Sequence, residues 1–197
     1  MSGADGSSKT TLAKLLSMYL ARFGSVGTFW LRGSHLLASI LLRVLSRLQV
    51  LRGMCNPYYK VCIPRRLRRI WFHIEFWSVM PYIILRYILA RLHKFLICDR
   101  GITDFIVWII MTLNYPSFLS SLYGRFLIRL AKGENIIYLY ADRHVLTERA
   151  DVPEEFVYRE IAIYEVLTRY LAKCSVDTGR YRPVKAAARV LRCLNIA

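Results

Sequence analysis

Short apolar runs alternate with longer stretches of helical periodicity along this chain of 197 residues. The runs SVGTFWLR, FLICD, NIIYLYAD and CSVDT have the length and composition of strands, and FLICD is typical of a parallel strand covered on both faces. Alternating strands and helices favour a mostly parallel sheet with helices on both sides. The sequence therefore predicts a three-layer α/β fold, in one domain over residues 1–197.

Several apolar stripes at helical spacing lie between these runs, the first over residues 9–23. Pro81 interrupts a long apolar helix and is expected to kink or divide it. Asp151 and Glu154 have the spacing of a capping box at the start of another helix. The segment GMCNPYY is expected to be a loop because it contains Gly, Asn and Pro. Further helices are predicted at residues 35–51, 103–113, 117–132 and from about 183.

Polar residues stand at the predicted strand ends. Arg32 closes the first run, Asp99 and Arg100 the second, Asp142 the third and Asp177 the fourth. In folds of this class, ligands bind at the carboxyl ends of parallel strands. We therefore expect these side chains to converge on one cleft, together with the segment that opens the chain.

The opening segment, GADGSSKTT, nearly matches the phosphate-binding loop pattern G-x-x-x-x-G-K-[ST]. Gly3 fills the first position, and Lys9 and Thr10 complete the pattern. Such a loop directs backbone N–H groups and a lysine at phosphates, while its hydroxyl binds Mg²⁺. The dipole of the following helix adds to the attraction for anions.

Ser8 stands where this pattern has its second glycine. If the position requires a positive φ, a serine there costs on the order of 1 kcal/mol. The segment is then a weakened nucleotide site rather than an abolished one. The alternative is a cap of small residues at the start of an ordinary helix.

A phosphate-binding loop of this kind normally follows a strand, and only Met1 and Ser2 precede Gly3. Without that strand, its neighbours in the sheet lose a shared hydrogen-bonding partner. Either the chain as given begins too late, or the central strand has been lost. We favour the late start, with four to six apolar residues upstream of Met1 as the expected missing strand.

The chain is strongly basic, with 29 Lys and Arg against 13 Asp and Glu and a formal net charge of +16. This surplus favours anionic partners, which include nucleotide phosphates, nucleic acid and anionic membrane surfaces, without choosing among them. Arg86, Arg91 and Lys94 interrupt one apolar stretch and Pro116 another, so a spanning helix is not expected. No signal peptide is recognised, and a cytoplasmic location is expected.

The cysteines, five in number, are Cys55, Cys62, Cys98, Cys174 and Cys193. An odd count without close pairs argues against a secreted disulfide framework, and no pair has zinc-site spacing. Buried, reduced thiols are therefore predicted.

Four segments together resemble thymidylate kinases. GADGSSKTTL resembles the phosphate-binding loop of that family, and ICDRGITDF resembles its Asp-Arg segment at a strand end. LRGSH stands where the family has an Arg-Glu-Pro-Gly-Gly turn, and SVDTGRYRPVKAAARVL resembles its closing strand, loop and helix. The chain looks most similar to the divergent archaeal thymidylate kinase-like proteins.

The resemblance implies a P-loop fold and ATP-dependent phosphorylation of a nucleoside monophosphate, with dTMP as the first acceptor to consider. Lys9 would hold the transferring phosphates, while Thr10 and Asp99 would bind Mg²⁺. Arg143 or Arg149 would be the lid arginine that neutralises the transition state. The residues implied to bind the ATP phosphates are Gly3, Gly6, Ser7, Ser8, Lys9, Thr10 and Thr11.

The same resemblance implies which residues bind the acceptor nucleotide. Asp5 would face the acceptor's sugar, Arg32 and Arg100 would grip its phosphate, and Glu75 stands near the family's base-reading residues. A homodimer is also implied by the family. The residues implied to be catalytic are Lys9, Asp99, Arg100 and Arg149.

The chain departs from the family pattern at several points. The Glu-Pro of the turn is missing, Gly101 replaces an aromatic residue, and the lid after Arg143 is short. These departures and the basic surface support an alternative function, in which a P-loop protein without full catalytic activity binds nucleotide or nucleic acid.

Overall fold

The computed structural model of the protein describes residues 1–31 and 33–196. Helices and strands alternate over most of this part of the chain, as the α/β prediction requires. In chain order the elements are α1 (Lys9–Leu20), β1 (Val26–Trp30), α2 (Leu36–Leu45), β2 (Arg52–Asn56), α3 (Arg68–Leu92), β3 (Phe95–Asp99), α4 (Ile102–Leu113), α5 (Leu122–Lys132), β4 (Ile136–Tyr140), α6 (Arg143–Arg149), α7 (Glu154–Leu171), β5 (Ala172–Asp177) and α8 (Pro183–Cys193). Short 3-10 helices lie at Gln49–Leu51, Arg65–Leu67 and Pro116–Ser120.

Two pairs of parallel strands form the sheet region. β1 pairs with β3, and β4 pairs with β5. Met1 and Ser2 lie between the two pairs. The Met1 carbonyl accepts a hydrogen bond from the Arg100 N–H at 3.1 Å, and the Ser2 carbonyl accepts one from the Leu139 N–H at 2.9 Å. These two residues therefore connect β3 to β4 at the carboxyl ends of the strands.

Helices pack on both sides of the strands. Leu12 and Leu16 of α1 form an apolar core with Val190 of α8 and with Leu139 and Val176 of the sheet. A larger core on the other side joins β1 to the apolar faces of α3, α4 and α5, and a third core adds α6 and α7 to β4. The layers agree with the three-layer prediction.

The segment GMCNPYY contains a strand, so the prediction of a loop was wrong in part. Arg52 and Asn56 of β2 make antiparallel bridges with Val61, and Cys55 forms a disulfide with Cys62. Most of β2 is exposed, so its sequence lacks the apolar alternation that identifies a half-buried strand. We refer to residues 52–62 as the β2 hairpin.

Helix α3 runs unbroken through Pro81, so the predicted division of this helix does not occur. A proline inside a helix leaves the carbonyl four residues earlier without its N–H partner. That carbonyl belongs to Trp77, which is 61% exposed, and Pro81 is exposed as well. Because water can bind the carbonyl on this side, the helix continues.

Helix α7 begins one residue after Pro153, and no side chain caps its N-terminus. The predicted capping box of Asp151 and Glu154 was therefore wrong, since Asp151 lies outside the helix. The spacing alone could not show that Pro153, with its fixed φ, would occupy the capping position.

Four of the five cysteines form disulfides, Cys55 with Cys62 and Cys174 with Cys193, and Cys98 is buried and free. The prediction of reduced thiols was wrong for these four. The partners are 7 and 19 residues apart, and it is the fold that brings them together. The second disulfide ties β5 to the last residue of α8.

A row of exposed apolar side chains runs along one face of α3, which we call the α3 stripe: Ile70, Trp77, Ile84, Ile88 and Leu92. Contiguous exposed apolar surface of this kind is typical of protein contact sites. Within residues 1–31 and 33–196, no helix combines the length and apolarity needed to cross a bilayer.

Candidate active site

The loop between Ser2 and α1 packs its backbone tightly against β4 and α6. A Cβ atom on Gly3 would lie 2.2 Å from the Leu139 carbonyl oxygen, and one on Gly6 would lie 2.5 Å from that of Leu146. Only glycine fits at either position. The glycines that suggested a phosphate-binding loop are therefore required by a close backbone turn.

Ser8 caps α1 in the left-handed conformation, with φ 59° and ψ 26°. Its side chain makes no capping hydrogen bond. A residue with a Cβ atom pays on the order of 1 kcal/mol for this conformation, whereas glycine adopts it freely. Ser8 therefore has the positive φ at which a serine was expected to be costly.

Lys9 folds back onto the loop that precedes it. Its ammonium donates to the Gly3 carbonyl at 2.8 Å, the Ala4 carbonyl at 2.6 Å and Ser7 Oγ at 3.0 Å. Burial and the nearby Arg100 charge lower the pKa of Lys9 to about 8. Lys9 thus stays mostly charged at neutral pH, and a phosphate has to compete with the loop's own oxygens for it.

Thr10 and Asp99 meet at the junction of α1 and β3. The Thr10 hydroxyl donates to Asp99 Oδ2 at 2.6 Å. The other carboxylate oxygen, Oδ1, is buried and has no partner among the described residues. The two residues that the resemblance implied for Mg²⁺ are therefore in direct contact.

This pair has the chemistry that Mg²⁺ requires. Mg²⁺ is usually bound by one or two carboxylates together with substrate phosphates and water. Within residues 1–31 and 33–196, no cluster of three His, Cys, Asp or Glu side chains is present that would hold a metal by itself. The Asp99 carboxylate and Thr10 hydroxyl therefore fit a magnesium ion that arrives with a nucleotide.

Arg100 is buried, and carboxylates surround its guanidinium. Nη2 pairs with Asp5, and Nη1 lies 3.7 Å from Asp104 Oδ1 and 4.0 Å from Glu160 Oε1. The Arg100 backbone has φ 75°, a strained conformation for a residue with a side chain. Strain of this kind is concentrated at functional sites, and here it turns the arginine toward the loop.

Two of the surrounding acids were not predicted from the sequence. Asp104 accepts hydrogen bonds from the Ser2 hydroxyl and the Tyr164 hydroxyl, both at 2.6 Å. Glu160 accepts the Asp5 N–H at 2.8 Å. Burial, followed by the charge of Asp5, raises the pKa of Glu160 to about 7.

Beside the loop lies a cavity of about 240 Å³, which we call the loop cavity. Arg149 lines it, and the Arg149 Cβ lies 3.1 Å from where a Cβ of Gly6 would be. Arg143, at the other end of α6, instead places its guanidinium 5.8 Å from the Tyr158 ring centroid. Of the two lid candidates, Arg149 is therefore the one beside the loop.

A second cavity of about 550 Å³, the aromatic cavity, opens on the other side of Tyr58. Tyr58 belongs to the β2 hairpin and lines both cavities. Its hydroxyl donates to Asp5, and its ring centroid is 5.7 Å from that of Trp108. The lining of the aromatic cavity comprises Trp30, Gly33, Ser34, Arg43, Ser46, Tyr58, Tyr59 and Trp108.

Glu75 lies behind the lining of the aromatic cavity and is not part of it. It is 2% exposed and accepts hydrogen bonds from Ser34 Oγ at 2.5 Å and from Trp71 Nε1 at 3.1 Å. Burial raises the pKa of Glu75 to about 7. Glu75 was predicted to bind the acceptor, but it does not line the aromatic cavity and is hydrogen-bonded to Ser34, which does.

The structure thus brings most of the predicted site residues together around the loop cavity. Five of them line neither cavity, namely Gly3, Ser7, Asp99, Glu75 and Arg143, and Arg32 lies outside the described residues. Asp177, predicted at the same edge, accepts the N–H groups of Gly179 and Arg180 and so shapes a turn. The residues that line the loop cavity are Asp5, Gly6, Ser8, Lys9, Thr10, Thr11, Tyr58, Arg100, Arg149, Ala150, Asp151 and Val152.

The fold of the chain is similar to that of a solved structure. A thymidylate kinase from Candida albicans superposes with a TM-score of 0.60, over 98% of this chain and 88% of that one, at 15% sequence identity. The chain has a thymidylate kinase-like fold. No protein family and no curated protein matches the sequence itself.

Within this thymidylate kinase-like fold, sequence reasoning missed Tyr58, Asp104 and Glu160. Asp104 could have been found from the sequence, because it follows Arg100 by four residues, about one helical turn. Tyr58 and Glu160 lie far from the loop in sequence, and only the fold places them beside Asp5.

Proposed function

We propose that the protein transfers the γ-phosphoryl group of ATP to a nucleoside monophosphate, with Mg²⁺ bound at Thr10 and Asp99 and with dTMP as the first acceptor to test. The observation that carries this proposal is the 2.6 Å hydrogen bond between Thr10 and Asp99. It places a hydroxyl from the loop and a carboxylate from a strand end at one point, beside the cationic groups of Lys9, Arg100 and Arg149.

The residues divide the work of phosphoryl transfer, which depends on positioning and on neutralising spread charge. The loop and the N-terminus of α1 bind the ATP phosphates. Lys9 leaves the Gly3 and Ala4 carbonyls to bind the transferring phosphate, and Arg149 approaches it from α6. The metal, when bound, neutralises charge on the phosphates.

The acceptor binds on the Tyr58 side. The aromatic cavity offers the rings of Trp30, Tyr59 and Trp108 to a base, and Arg43 to an anionic group. Asp5 faces the acceptor sugar with its carboxylate held by Arg100 and Tyr58. Arg32 and Arg100 bind the acceptor phosphate in this proposal.

ADP formation from Mg·ATP tests the proposal directly, over a panel of nucleoside monophosphates that begins with dTMP. We expect turnover with at least one acceptor, and loss of about a hundredfold or more in Lys9→Met. The matched control is Lys14→Met, an exposed lysine on the same helix. Absence of turnover with the whole panel contradicts the proposal.

A second function is supported by the contacts of Lys9 and the backbone conformation of Ser8. Lys9 is bonded to three loop oxygens and Ser8 strains the turn. These two features fit a P-loop protein that lacks full catalytic activity. Such a protein would bind nucleotide or nucleic acid through its basic surface. Binding of a labelled oligonucleotide that weakens steeply with salt, without ADP formation, distinguishes it from the kinase.

A further inference from the structure

The charge of the chain is distributed unevenly along its length. Between Asp5 and Glu75 the sequence has twelve Lys and Arg residues and no Asp or Glu, and Glu75 itself is buried. The exposed acids of the described residues lie between Asp142 and Glu165. The surface formed by residues 6–74 therefore carries cations with no exposed carboxylate among them, and it attracts anionic partners.

Helix α2 lies within this acid-free part of the chain, and one of its sides is apolar and exposed. Leu37, Ile40 and Val44 are spaced by three and four residues, so they share one side of the helix, and each is more than half exposed. Leu48 continues the row in the turn after the helix and is 51% exposed. We call these residues, Leu37, Ile40, Val44 and Leu48, the α2 face.

The opposite side of α2 packs into the protein. Ala38 and Leu42 are buried there, and the Ala38 N–H donates a hydrogen bond to Ser78 Oγ of α3 at 3.1 Å. The α2 face is therefore not used to hold α2 on the rest of the chain. Because exposed aliphatic surface is costly in water, a continuous row of it along a helix is typical of a surface that binds a partner.

Arginines border the α2 face on one edge. Arg43 and Arg47 follow Ile40 by three and seven residues, so they lie on its side of the helix, and both are exposed. Arg43 also lines the aromatic cavity, which leaves Arg47 as the cation that belongs to this edge alone. An apolar row with cations beside it is the pattern of a helix that lies in the interface of an anionic bilayer.

Two other occupants match this surface only in part. A nucleic acid would pair with the arginines, but its phosphates and sugars offer no partner to a row of exposed aliphatic side chains. A second copy of the chain, joined through the same face about a two-fold axis, would bring the arginines together with no exposed acid of residues 6–74 to pair with them. An anionic lipid surface satisfies both the apolar row and the cations.

We propose that the α2 face docks the protein on the surface of an anionic membrane. The aliphatic side chains enter the boundary between headgroups and acyl chains, while the Arg47 guanidinium stays at the level of the lipid phosphates. The helix lies along the surface, because α2 has ten residues and crossing a bilayer requires roughly 20. The proposal does not depend on the proposed kinase activity.

Flotation with lipid vesicles tests the proposal on the full chain. Vesicles of equal parts phosphatidylglycerol and phosphatidylcholine are the anionic probe, and vesicles of phosphatidylcholine alone are the neutral control. We expect an affinity at least about tenfold higher for the anionic vesicles, and we expect it to fall as the salt concentration rises. A protein that does not float with the anionic vesicles overturns the proposal.

A pair of double variants separates insertion of the apolar row from attraction by charge alone. Ile40→Ser with Val44→Ser leaves the net charge unchanged, and its affinity for the anionic vesicles should fall at least about tenfold because two apolar side chains no longer insert. Val166→Ser with Val184→Ser changes two exposed valines on α7 and α8 and should bind like the wild type. All these positions are exposed, so the urea midpoints should stay near that of the wild type. Equal binding by the two double variants overturns the proposal.

Arg47→Gln tests the cationic edge without touching the apolar row. One cation beside an anionic bilayer is worth about fivefold in affinity, so the variant should bind the anionic vesicles about fivefold more weakly. Arg169→Gln removes an exposed arginine of α7 and is the matched control. An equal loss in both variants overturns the proposal, because the attraction would then belong to the total charge and not to the α2 face.

The other two occupants would each be recognised by their own result, and each result overturns the proposal. Self-association without vesicles that Ile40→Ser with Val44→Ser abolishes, in a protein that does not float, would show that a second copy covers the α2 face. Binding of a labelled oligonucleotide that the same double variant weakens, again without flotation, would show that the face binds nucleic acid.

Discussion

The Thr10 hydroxyl and the Asp99 carboxylate are joined by a 2.6 Å hydrogen bond, although 89 residues separate them in the chain. The bond ties the first turn of α1 to the carboxyl end of β3. It also leaves Asp99 Oδ1 buried without a partner among the described residues. An oxygen in that position is stabilised when a cation arrives, which makes this pair the most direct place to probe the site.

Replacement of Asp99 by Asn removes the charge and keeps the shape. If Asp99 holds Mg²⁺, we expect turnover to fall by about a hundredfold or more, and the Mg²⁺ concentration for half-maximal rate to rise. Asp142→Asn is the matched control, since Asp142 is an exposed acid after β4. An unchanged magnesium dependence in the Asp99 variant would show that this carboxylate does not bind the metal.

Ser8→Gly should relieve the left-handed strain at the start of α1. Glycine adopts φ 59° without penalty, and part of the gain is offset by its greater freedom in the unfolded chain. We therefore expect a free energy of unfolding higher by up to about 1 kcal/mol, measured by urea denaturation. Ser8→Ala keeps the strain and loses only the hydroxyl, so it should show no gain. Equal behaviour of the two variants would rule out strain as the cost of this serine.

Glu75 makes stability depend on pH in a direction that can be worked out. Its folded pKa, about 7, is raised above the unfolded value of 4.5, so the folded state binds the extra proton. The contribution of Glu75 to the free energy of unfolding is fully present below pH 4.5 and is lost as the pH rises to about 7. Glu75→Gln, which cannot ionise, should be more stable than the wild type at pH 8 by about 3 kcal/mol and similar to it near pH 4.5. An equal difference in the free energy of unfolding between the variant and the wild type at pH 8 and at pH 4.5 would contradict the raised pKa of Glu75.

The Cys174–Cys193 disulfide closes 19 residues and holds α8 against β5. Cys193→Ser should lower the free energy of unfolding by about 3 kcal/mol, because the unfolded chain regains the freedom of that loop. Denaturation of the wild type with and without reductant provides the comparison. Disulfides are rare in most cytosolic proteins, so the thiol content of protein isolated under trapping conditions also tests the predicted cytoplasmic location. A variant as stable as the oxidised wild type would show that this bond does not contribute.

The α3 stripe is the surface we expect in the predicted homodimer. Glutamate at both Ile84 and Ile88 places two charges on that apolar face, so the sedimentation coefficient should fall to that of a monomer. Val184→Glu, on an exposed position of α8, is the control and should leave assembly unchanged. A wild-type protein that is monomeric at all concentrations would contradict the dimer prediction.

The features predicted correctly from the sequence are those set by local pattern. FLICD ends at Asp99 as a parallel strand paired with β1, in which Ile97 and Cys98 are buried and the other three residues are half-buried. Ser8 was singled out because it stands at a glycine position of the pattern, and it has the positive φ on which its expected cost depended. Gly3 and Gly6 were identified for the same reason, and the backbone around them leaves no room for a Cβ atom.

The features that were missed depend on contacts between distant residues. The β2 hairpin is closed by Cys62 and Val61, and its tip contacts the loop through the hydrogen bond from Tyr58 to Asp5. Nothing in the sequence around Tyr58 indicates that contact. Glu75 was predicted to lie in the acceptor site, yet the packing of α3 against α4 places Ser34 and Trp108 in front of it.

Tyr58 lines both the loop cavity and the aromatic cavity, so a substitution of Tyr58 changes both cavities at once. A truncation of Tyr58 would widen the aromatic cavity and remove its hydrogen bond to Asp5 in the same step. Under the proposed function, kinetic defects in such a variant would appear in the constants of both substrates, so Tyr58 could not be assigned to one substrate alone.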